Sequence, residues 1–279
     1  MNTIKYLTSE EFRKMQLLQL DMIVELDKVC RRHDIKYTIS CGTLLGAVRH
    51  KGYIPWDDDA DITMLREDYE RFKKVANEMN PEICFFQDHT TDPEYLWAYG
   101  KLRRVNTVFV RVGQEHIKCK TGVSIDVLPL DDAPLSILGQ MLQDFDCYFL
   151  RKILWSKVAI KNSQGIELFI YKILNCFSVE FVYKSLKKYT ERSSNTSRNR
   201  VRILLFPAFG KLYLTHPLQE RYSMPKIWFL ERAEYEFEGK KFYGIKDYDA
   251  FLKYLYGDYM TLPPIEKREP HAPVSEYKF

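Results

Sequence analysis

Four aspartates crowd into the stretch GYIPWDDDADI, which runs from Gly52 to Ile62. Carboxylates this close repel one another, and each raises its neighbours' pKa unless a cation compensates. Glycine and proline in the stretch favour turns, so an acidic surface turn is one interpretation. The other interpretation is a cation site, to which the candidate ligands are Asp57, Asp58, Asp59 and Asp61.

The segment ADITM is predicted as a strand, in which successive side chains alternate between the two faces. Asp59 and Asp61 then project to the same side, while Ala60 and Ile62 face the packed side. Magnesium takes octahedral oxygen ligation, usually from one or two carboxylates, with substrate phosphates and water completing the shell. The pair therefore predicts a metal site that also needs a phosphate.

Asp126 is the single acid of the otherwise apolar strand predicted for GVSIDVLPL. An unpaired buried charge would be strongly destabilising there, and a shared cation would offset that cost. The alternative is a buried salt bridge to Arg103 or Arg104, or a cap at the strand end. With a third ligand, two ions about 3.5 to 4 Å apart could be held, one activating an attacking hydroxyl and the other steadying a leaving phosphate. This is phosphoryl-transfer chemistry.

The preceding stretch CGTLLGAVRH is predicted to contact that phosphate. Gly42 permits a sharp turn and a close approach of the backbone to an anion, and Thr43 is predicted to open a helix whose free N–H groups attract phosphate. Arg49 and His50 add cationic side chains nearby. A Gly-Thr pair before a helix is also typical of an ordinary capped turn, and its position before the acidic run favours the phosphate role.

Predicted helices and strands alternate around these residues. Thr8 and Glu11 form a capping box, after which apolar residues at helical spacing continue to about Arg32. A second amphipathic helix is predicted for EDYERFKKVANEM. The predicted strands in this half of the chain are KYTIS, ADITM, ICFFQ, TVFVRV and VSIDVLPL.

From about Leu135 the sequence changes to long, apolar, lysine-rich helical segments, and SSNTSRNR at 193–200 is predicted as a loop. EYEFEGKKFYGI predicts a hairpin turning at Glu238 and Gly239, and YDAFLKYLYG a helix ending at Gly257. The predicted fold class is α+β, a mixed sheet flanked by helices with a helical C-terminal region. We assign residues 1–134 to a catalytic core and 135–279 to a helical region, hairpin, helix and tail that pack on that core without folding independently.

Composition and charge limit the classes of function that this chain can have. A chain of 279 residues that is 46% hydrophobic buries a sizeable core, and a net charge of +4 is too small to indicate a nucleic-acid partner. Six cysteines without a C-x-x-C pair, and a start without the long apolar core of a secretory signal, predict reduced thiols in a cytoplasmic protein. The most apolar stretch, 168–183, is interrupted by Lys172, Asn175 and Glu180, so no transmembrane helix is predicted.

Two lysine-rich apolar segments, CYFLRKILWSKVAIK and LFIYKILNCFSVEFVYKSLKK, have two interpretations. They could rest peripherally on an anionic membrane surface, at its inner face, and meet a lipid-linked glycan. The alternative is a helical subdomain that buries its apolar stripe.

The blocks that carry the candidate residues resemble a known family. ISCGTLLGAVRHKGYIPWDDDADI is very similar to the signature of the LicD family, of which fukutin-related proteins are distant animal relatives. KLRRVNTVF, SIDVLPLDDAP and YLYGDYMTLPPIEKREPHAP also resemble family blocks. The resemblance runs through most of the chain, and the middle, about 135 to 230, carries no such block.

The resemblance implies a nucleotidyltransferase-like fold, in which a Gly-Ser-like turn, an Asp-x-Asp strand and a third Asp form the metal site. It gives Asp59, Asp61 and Asp126 the catalytic and metal-binding positions and makes Gly42 and Thr43 the phosphate-side turn. LicD-family members transfer phosphocholine or related phospho-alcohols from a CDP carrier to sugars and release CMP. A typical nucleotidyltransferase releases pyrophosphate, so the fold alone does not imply this chemistry.

Other residues receive supporting roles. Lys101 or Arg103 is expected to contact phosphate because a guanidinium suits a diphosphate, and a solvated basic face is the alternative. The tail after two prolines could fold over the substrate, or be a solvated charge cluster, and its candidates are Lys267, Arg268 and His271. Residues assigned to support the metal site are Trp56, Asp57 and Asp58.

A choline head group offers no hydrogen-bond donor and is attracted by ring faces, so holding it needs an aromatic cage. Candidate cage residues are Trp56, Trp97, Tyr99 and Tyr256. Core packing is the alternative for these rings, and ribitol or glycerol remains open as the alcohol.

The sequence therefore predicts a transferase that uses Mg²⁺ or Mn²⁺, with two ions. Its expected donor is CDP-choline or another CDP-alcohol, and its expected acceptor is a sugar hydroxyl of a cell-surface glycan such as lipopolysaccharide or teichoic acid. Two alternatives stay open: a nucleotidyltransferase that joins NMP to a small molecule, and a catalytically silent glycan-binding protein.

Overall fold

The structure, a computed structural model, describes residues 4–193, 199–206, 216–218, 220–269 and 273–279. In chain order its helices and strands are α1 (Ser9–Arg32), β1 (Thr38–Ile39), α2 (Cys41–His50), β2 (Asp61–Leu65), α3 (Arg66–Val75), β3 (Cys84–Gln87), β4 (Gly100–Arg104), β5 (Val108–Arg111), β6 (Ser124–Asp132), α4 (Ile137–Ala159), α5 (Gly165–Leu174), α6 (Val179–Ser193), β7 (Arg200–Arg202), β8 (Met224–Pro225), α7 (Ile227–Leu230), β9 (Arg232–Phe237), β10 (Lys240–Ile245), α8 (Tyr248–Tyr256) and β11 (Val274–Lys278). Short 3-10 turns follow α3 at Ala76–Glu78 and precede β11 at Ile265–Lys267.

A mixed sheet forms the centre of the molecule, with the strand order β3-β4-β6-β2-β1-β10-β9. β2 runs parallel to β6 and β1 runs parallel to β10, while the other neighbours in this order are antiparallel. The end of β6 also pairs with β7, which pairs with β8, and β11 pairs with β5 in a separate sheet. The predicted α+β class, a mixed sheet flanked by helices, is confirmed.

Helix α1 begins with the predicted capping box. Glu11 N–H donates to Thr8 Oγ1 at 3.2 Å, and Thr8 N–H donates to Glu11 Oε2 at 2.8 Å. The box satisfies backbone donors at the helix N-terminus that have no partner within the helix. The apolar stripe of α1, which includes Met22 and Leu26, is buried against the sheet, where α1 contacts β4 and β6.

The C-terminal hairpin forms where the sequence predicts it. Glu238 and Gly239 occupy its turn with φ angles of +53° and +70°, the left-handed values that a two-residue hairpin turn of type I′ requires. Strand β10 then pairs with β1, so the hairpin extends the same sheet that the first half of the chain builds. The division of the chain at residue 134 stays a prediction.

Helices α4, α5 and α6 enclose a second apolar core, to which Leu150, Tyr171 and Val182 contribute. Arg202 of β7 and Asp144 of α4 form a buried ion pair that ties this helical region to the sheet. Among the described residues, no helix combines the length and the apolarity that crossing a bilayer requires.

Local structure differs from the sequence predictions at several places. The short strands β7, β8 and β11 lie in the region that was predicted as helices, a hairpin and a tail. Residues 100–104 form β4, a strand that was not predicted, and the basic side chains there belong to the sheet. Helix α2 begins at Cys41 after the N-cap Ser40, so Thr43 lies inside its first turn and does not open it. Of the predicted loop 193–200, residues 194–198 lie outside the described part of the chain.

Candidate active site

Three charged side chains form a row across the middle of the sheet. In the parallel pair β2–β6, Asp61 is the register partner of Asp126, and in the antiparallel pair β4–β6, Asp126 is the partner of Lys101. Residues directly opposite one another in a ladder point to the same face. The structure therefore brings Asp61 and Asp126 side by side, although 64 residues of chain separate them.

Asp59 lies just before β2 and completes the group. Asp59, Asp61 and Asp126 line one cavity of about 370 Å³, together with Lys101 and Arg103. Asp59 and Asp61 also line a more open depression of about 650 Å³, on the side of Gly42 and Trp56. The Asp-x-Asp pair thus borders two spaces, an inner cavity that contains Asp126 and an outer depression beside α2.

The electrostatics of this group favour a cation. Burial, together with the nearby carboxylates of Asp59 and Asp126, raises the pKa of Asp61 well above its ordinary value, and Lys101 opposes that shift only weakly. Carboxylates this close repel one another when all of them are ionised, and added positive charge reduces the repulsion. Carboxylate oxygens are the ligands that Mg²⁺ and Mn²⁺ prefer, so these residues fit a divalent cation in both charge and donor type.

The remaining acids of the run are buried, so the interpretation as an exposed acidic turn is wrong. Carboxylate oxygens of Asp57, Asp58 and Asp59 lie within 4.8 Å of one another, so these three form a possible ligand set whose oxygens are already close together, and Asp59 also belongs to the set with Asp61 and Asp126. Asp58 Oδ2 also lies 3.6 Å from an Arg111 guanidinium nitrogen. Gln19 Nε2 donates to the Asp58 carbonyl oxygen at 2.9 Å and holds the backbone of the run.

Asp126 forms an ion pair with Lys101, not with Arg103 or Arg104 as the alternative interpretation held. Tyr99 also hydrogen-bonds to the Asp126 carboxylate. Burial lowers the pKa of Lys101, and Asp126 partly offsets this. Lys101 lines the inner cavity beside Asp126, where its ammonium can meet an anionic substrate.

Arg103 is buried in β4 and not part of a solvated face. Its guanidinium donates to Gln87 Oε1 at 2.6 Å and to the Gly122 carbonyl oxygen at 2.9 Å, while one edge of the side chain lines the inner cavity. Arg104 points elsewhere and donates to the Ile83 carbonyl oxygen at 2.9 Å.

The start of α2 packs tightly against the acidic run. A Cβ atom on Gly42 would lie 2.5 Å from Asp57 Oδ2, so any larger residue would force the Asp57 carboxylate to move. Thr43 Oγ1 accepts a hydrogen bond from the Asp61 N–H at 2.8 Å, which fixes the first residue of β2 against the helix. The predicted phosphate-side turn thus positions the carboxylates, and its contact with phosphate stays a prediction.

The other predicted substrate contacts surround the outer depression. Arg49 lines it and donates to the Tyr259 carbonyl oxygen, Lys267 lines it, and the Arg268 guanidinium lies 5.2 Å from the Trp56 ring centroid. The His50 ring meets the Trp56 ring edge-on, with centroids 6.3 Å apart. His271 lies outside the described residues.

The candidate cage residues fall into two groups. Trp97 and Tyr99 line the inner cavity, where Phe109 and Phe206 add two further rings. Trp56 and Tyr256 line the outer depression. Rings therefore border both spaces beside the carboxylates.

Two residues at the site were missed by the sequence analysis. Cys41 lines the inner cavity with a left-handed φ of +48°, and its thiol hydrogen-bonds to Asp61. Arg111 lines the cavity beside Asp58. Arg111 could have been recognised from the sequence as a candidate site residue. It is the single charged residue in the predicted strand TVFVRV, as Asp126 is in its own strand. The conformation of Cys41 had no comparable signal.

Comparison with known proteins supports the family resemblance that the sequence motifs indicate. Residues 34–169 match the family model described as "LicD/FKTN/FKRP, nucleotidyltransferase domain". The chain thus carries a LicD-family domain over just under half of its length. The predicted resemblance is thereby confirmed, and the matched segment contains Asp59, Asp61, Asp126 and Lys101.

Individual relatives extend the match beyond that domain. A lipopolysaccharide cholinephosphotransferase LicD from Haemophilus influenzae is 28% identical over 262 residues, which are 93% of this chain and 95% of that protein. Uncharacterized proteins from Rickettsia typhi and Rickettsia prowazekii are 42% and 46% identical over 71 and 62 residues, or 22% and 23% of their own lengths. The LicD likeness thus runs through nearly the whole chain.

Proposed function

We propose that this protein is a divalent-metal-dependent transferase that moves phosphocholine, or a related phospho-alcohol, from a CDP-linked donor to a sugar hydroxyl of a cell-surface glycan. Lipopolysaccharide is the acceptor we propose first, because the Haemophilus relative is named a lipopolysaccharide cholinephosphotransferase. The single observation that supports the chemistry is the register pairing of Asp61 with Asp126, which gathers acids from two strands around one cavity.

We assign Asp59, Asp61 and Asp126 to holding Mg²⁺ or Mn²⁺, with room for two ions in a site that Asp59 and Asp61 border from both sides. The bound metal supplies positive charge that offsets the diphosphate and lowers the pKa of the attacking hydroxyl. Lys101 adds a fixed cation beside Asp126, and the buried Arg103 guanidinium keeps the β4 edge of the cavity positive.

The proposed reaction is an in-line displacement. The sugar oxygen forms a new bond to the distal phosphorus of the donor, the bond from that phosphorus to the bridging oxygen breaks, and CMP leaves with the electron pair. The hydroxyl proton passes to a carboxylate of the site, for which Asp126 is our candidate, or to water. No pyrophosphate is formed, which separates this reaction from NMP transfer.

The inner cavity suits the alcohol. Its volume of about 370 Å³ matches a small head group, and Trp97, Tyr99, Phe109 and Phe206 offer ring faces that attract a quaternary ammonium. A polyol such as ribitol or glycerol needs several hydrogen-bond partners instead, so the aromatic lining favours choline.

The experiment is product analysis with purified full-length protein, CDP-choline and a lipopolysaccharide acceptor, in the presence of Mg²⁺, Mn²⁺ or chelator. We expect CMP and a phosphodiester-linked choline on the glycan only when divalent metal is present. Release of pyrophosphate from a nucleoside triphosphate would instead establish nucleotidyl transfer. Tight glycan binding that chelator does not affect, without turnover of any CDP-alcohol, would establish a silent binding protein.

Asp59→Ala should abolish CMP release, because it removes a carboxylate that both spaces share. The matched control is Asp21→Asn. Asp21 is an exposed acid that does not line the cavity, and its side chain lies 3.8 Å from an Arg104 guanidinium nitrogen. Turnover that survives in Asp59→Ala, or that is lost equally in the control, would remove the metal mechanism.

A further inference from the structure

Helices α4 and α5 expose a row of large apolar side chains. We call this surface the apolar patch, and its defining residues are Leu142, Phe145, Phe149, Ile166, Phe169 and Ile173. The α4 members recur at helical spacing on the side opposite to Cys147 and Leu150, which are buried in the second core. An exposed apolar surface of this extent, on one face of two adjoining helices, marks a site of interaction.

The two helices form one continuous surface. The Phe149 ring of α4 meets the Phe177 ring just beyond α5 at a centroid distance of 5.8 Å, and Phe177 meets Phe181 of α6 at 5.7 Å. Lys152 of α4 lies 6.0 Å from the Tyr171 ring of α5. These contacts hold α4 against α5 and the start of α6, so the exposed apolar side chains of the two helices belong to one packed helical unit.

Helix α5 has apolar residues on both of its sides. Tyr171 and Leu174 are buried in the core, while Ile166 is 76% exposed and Phe169 is 60% exposed. A helix at a protein–water boundary normally carries a polar outer face, and a helix that is apolar all round is normally enclosed. None of the described residues covers this outer face. The apolar surroundings that such a face requires must therefore come from outside the described residues.

The charged residues around the patch indicate which medium that is. Between 137 and 181, Arg151, Lys152, Lys157, Lys161 and Lys172 are at least partly exposed, against Asp146, Glu167 and Glu180. Lys152 sits among the rings themselves, with Nζ 5.5 Å from the Tyr148 ring centroid. Lysine is depleted at protein–protein interfaces, where its charge would be buried, whereas at a bilayer its stem lies along the acyl boundary and its ammonium reaches the head groups.

From the apolar patch and its lysines we infer that α4 and α5 form a docking surface for an anionic lipid bilayer. Phe145, Ile166, Phe169 and Ile173 enter the boundary between head groups and acyl chains, and the lysines contact anionic head groups. Under this inference both sequence interpretations of these helices hold. One apolar stripe is buried in the protein, and a second apolar stripe faces lipid.

Docking in this way has a consequence that rests on the proposed function. The Arg151 guanidinium of α4 lies 6.0 Å from the Phe206 ring, and Phe206 lines the inner cavity beside Tyr99. A helix that contacts a lining residue of the cavity would thus also hold the protein at the surface where a lipid-borne acceptor resides.

The test is co-sedimentation of the full-length protein with vesicles of phosphatidylethanolamine and phosphatidylglycerol, and separately of phosphatidylcholine. We expect binding to the anionic vesicles that weakens as salt rises. The double variant Ile166→Ser/Phe169→Ser should lower the partition coefficient on the order of tenfold or more, because it removes apolar area from the boundary. The control Tyr6→Ser, which changes a side chain that is 82% exposed away from the patch, should bind like wild type.

A second arm tests the charges. Lys161→Gln/Lys172→Gln should weaken binding to the anionic vesicles about twenty-five-fold and leave binding to phosphatidylcholine unchanged, since each lysine near the surface contributes roughly fivefold. Circular dichroism and CMP release from CDP-choline with a water-soluble sugar acceptor should match wild type in every variant, which shows that the variants fold.

Two results would overturn the inference. One is wild-type protein that does not sediment with anionic vesicles at low salt. The other is a dimer in sedimentation equilibrium that Ile166→Ser/Phe169→Ser converts to monomer, because a second copy would then cover the patch. Vesicle binding needs no turnover, so failure of the proposed reaction would leave this result interpretable.

Discussion

Asp61 is the residue on which the proposed chemistry depends most. Its part-buried side chain lies near the carboxylates of Asp59 and Asp126, and its Cα partner across the sheet is Asp126 itself. Evolution retains such repulsion where function needs it, at a cost in stability. The like charges therefore oppose one another in the metal-free fold, and the cation that we propose would relieve that repulsion.

We predict that Asp61→Asn raises the melting temperature of the metal-free protein while it abolishes turnover. Removing one of the repelling charges should stabilise the fold by roughly 1 kcal/mol. Turnover should fall by more than the roughly hundredfold typical of losing a partner of a metal ligand, because a ligand itself is lost. Calorimetry with chelator and a CMP-release assay measure the two effects, and a destabilised but active variant would contradict the prediction.

Lys101→Met tests the ion pair with Asp126. Both side chains are only about one-sixth exposed, at 15% and 17%, so the substitution leaves a carboxylate in the cavity without its cation. We expect a loss of about 2 kcal/mol in the free energy of unfolding in urea, somewhat less than for a fully buried pair. The control Lys28→Met breaks a pair whose lysine is 60% exposed and should cost less than about 1 kcal/mol.

At the scale of secondary structure, the elements that carry a local sequence signal were predictable from the sequence. α1, the hairpin and α8 follow from a capping box, a Glu-Gly turn and a helix-ending glycine. β4 was missed because its basic residues, Lys101, Arg103 and Arg104, look solvated in the sequence. Their partners, Asp126, Gln87 and Ile83, lie in other strands or just before one. Partners that are remote in sequence cannot be inferred from local pattern.

The same reasoning divides the candidate site. The Asp-x-Asp pair and Asp126 stand out because isolated acids in apolar strands require an explanation, and the register of β2 with β6 then places them together. The left-handed conformation of Cys41 and the hold of Gln19 on the Asp58 carbonyl depend on tertiary packing. Nothing in the local sequence distinguishes those roles.

The hairpin turn predicts a pH dependence. Glu238 accepts hydrogen bonds from the Arg13 guanidinium at 2.9 Å and from the Tyr53 N–H at 3.0 Å, and chiefly the bond from Arg13 lowers the pKa of Glu238 below its ordinary 4.5. The folded state thus favours the carboxylate, so this stabilisation is present above pH 4.5 and is lost as the pH falls through the lowered pKa.

We therefore expect Glu238→Gln to unfold more easily than wild type at neutral pH, by about 1 kcal/mol because Arg13 is nearly half exposed, and to lose less stability on acidification. Urea unfolding between neutral pH and the acid range measures both slopes. Glu10→Gln, an exposed change in the first turn of α1, should keep the wild-type slope. Parallel slopes in wild type and Glu238→Gln would contradict this account of the turn.

At the scale of the whole molecule, metal and donor should stabilise the fold together. Asp59 and Asp61 precede or begin β2, Asp126 lies in β6 and Lys101 in β4, so a ligand bound among them ties three central strands. CDP-choline with Mg²⁺ at about a hundred times the dissociation constant should add about 2.7 kcal/mol, or roughly 5 °C or more in melting temperature. Chelator should remove the shift, and a shift of equal size from CDP-choline alone would contradict metal-dependent binding.

The most direct measurement of the central claim is the anomalous difference density of a crystal grown with Mn²⁺ and CDP-choline. We predict one or two manganese peaks about 2.1 Å from carboxylate oxygens of Asp59, Asp61 and Asp126, with the donor diphosphate completing the coordination. Manganese bound only by Asp57, Asp58 and Asp59, or density that leaves Asp126 paired with Lys101 and distant from any metal, would contradict the account.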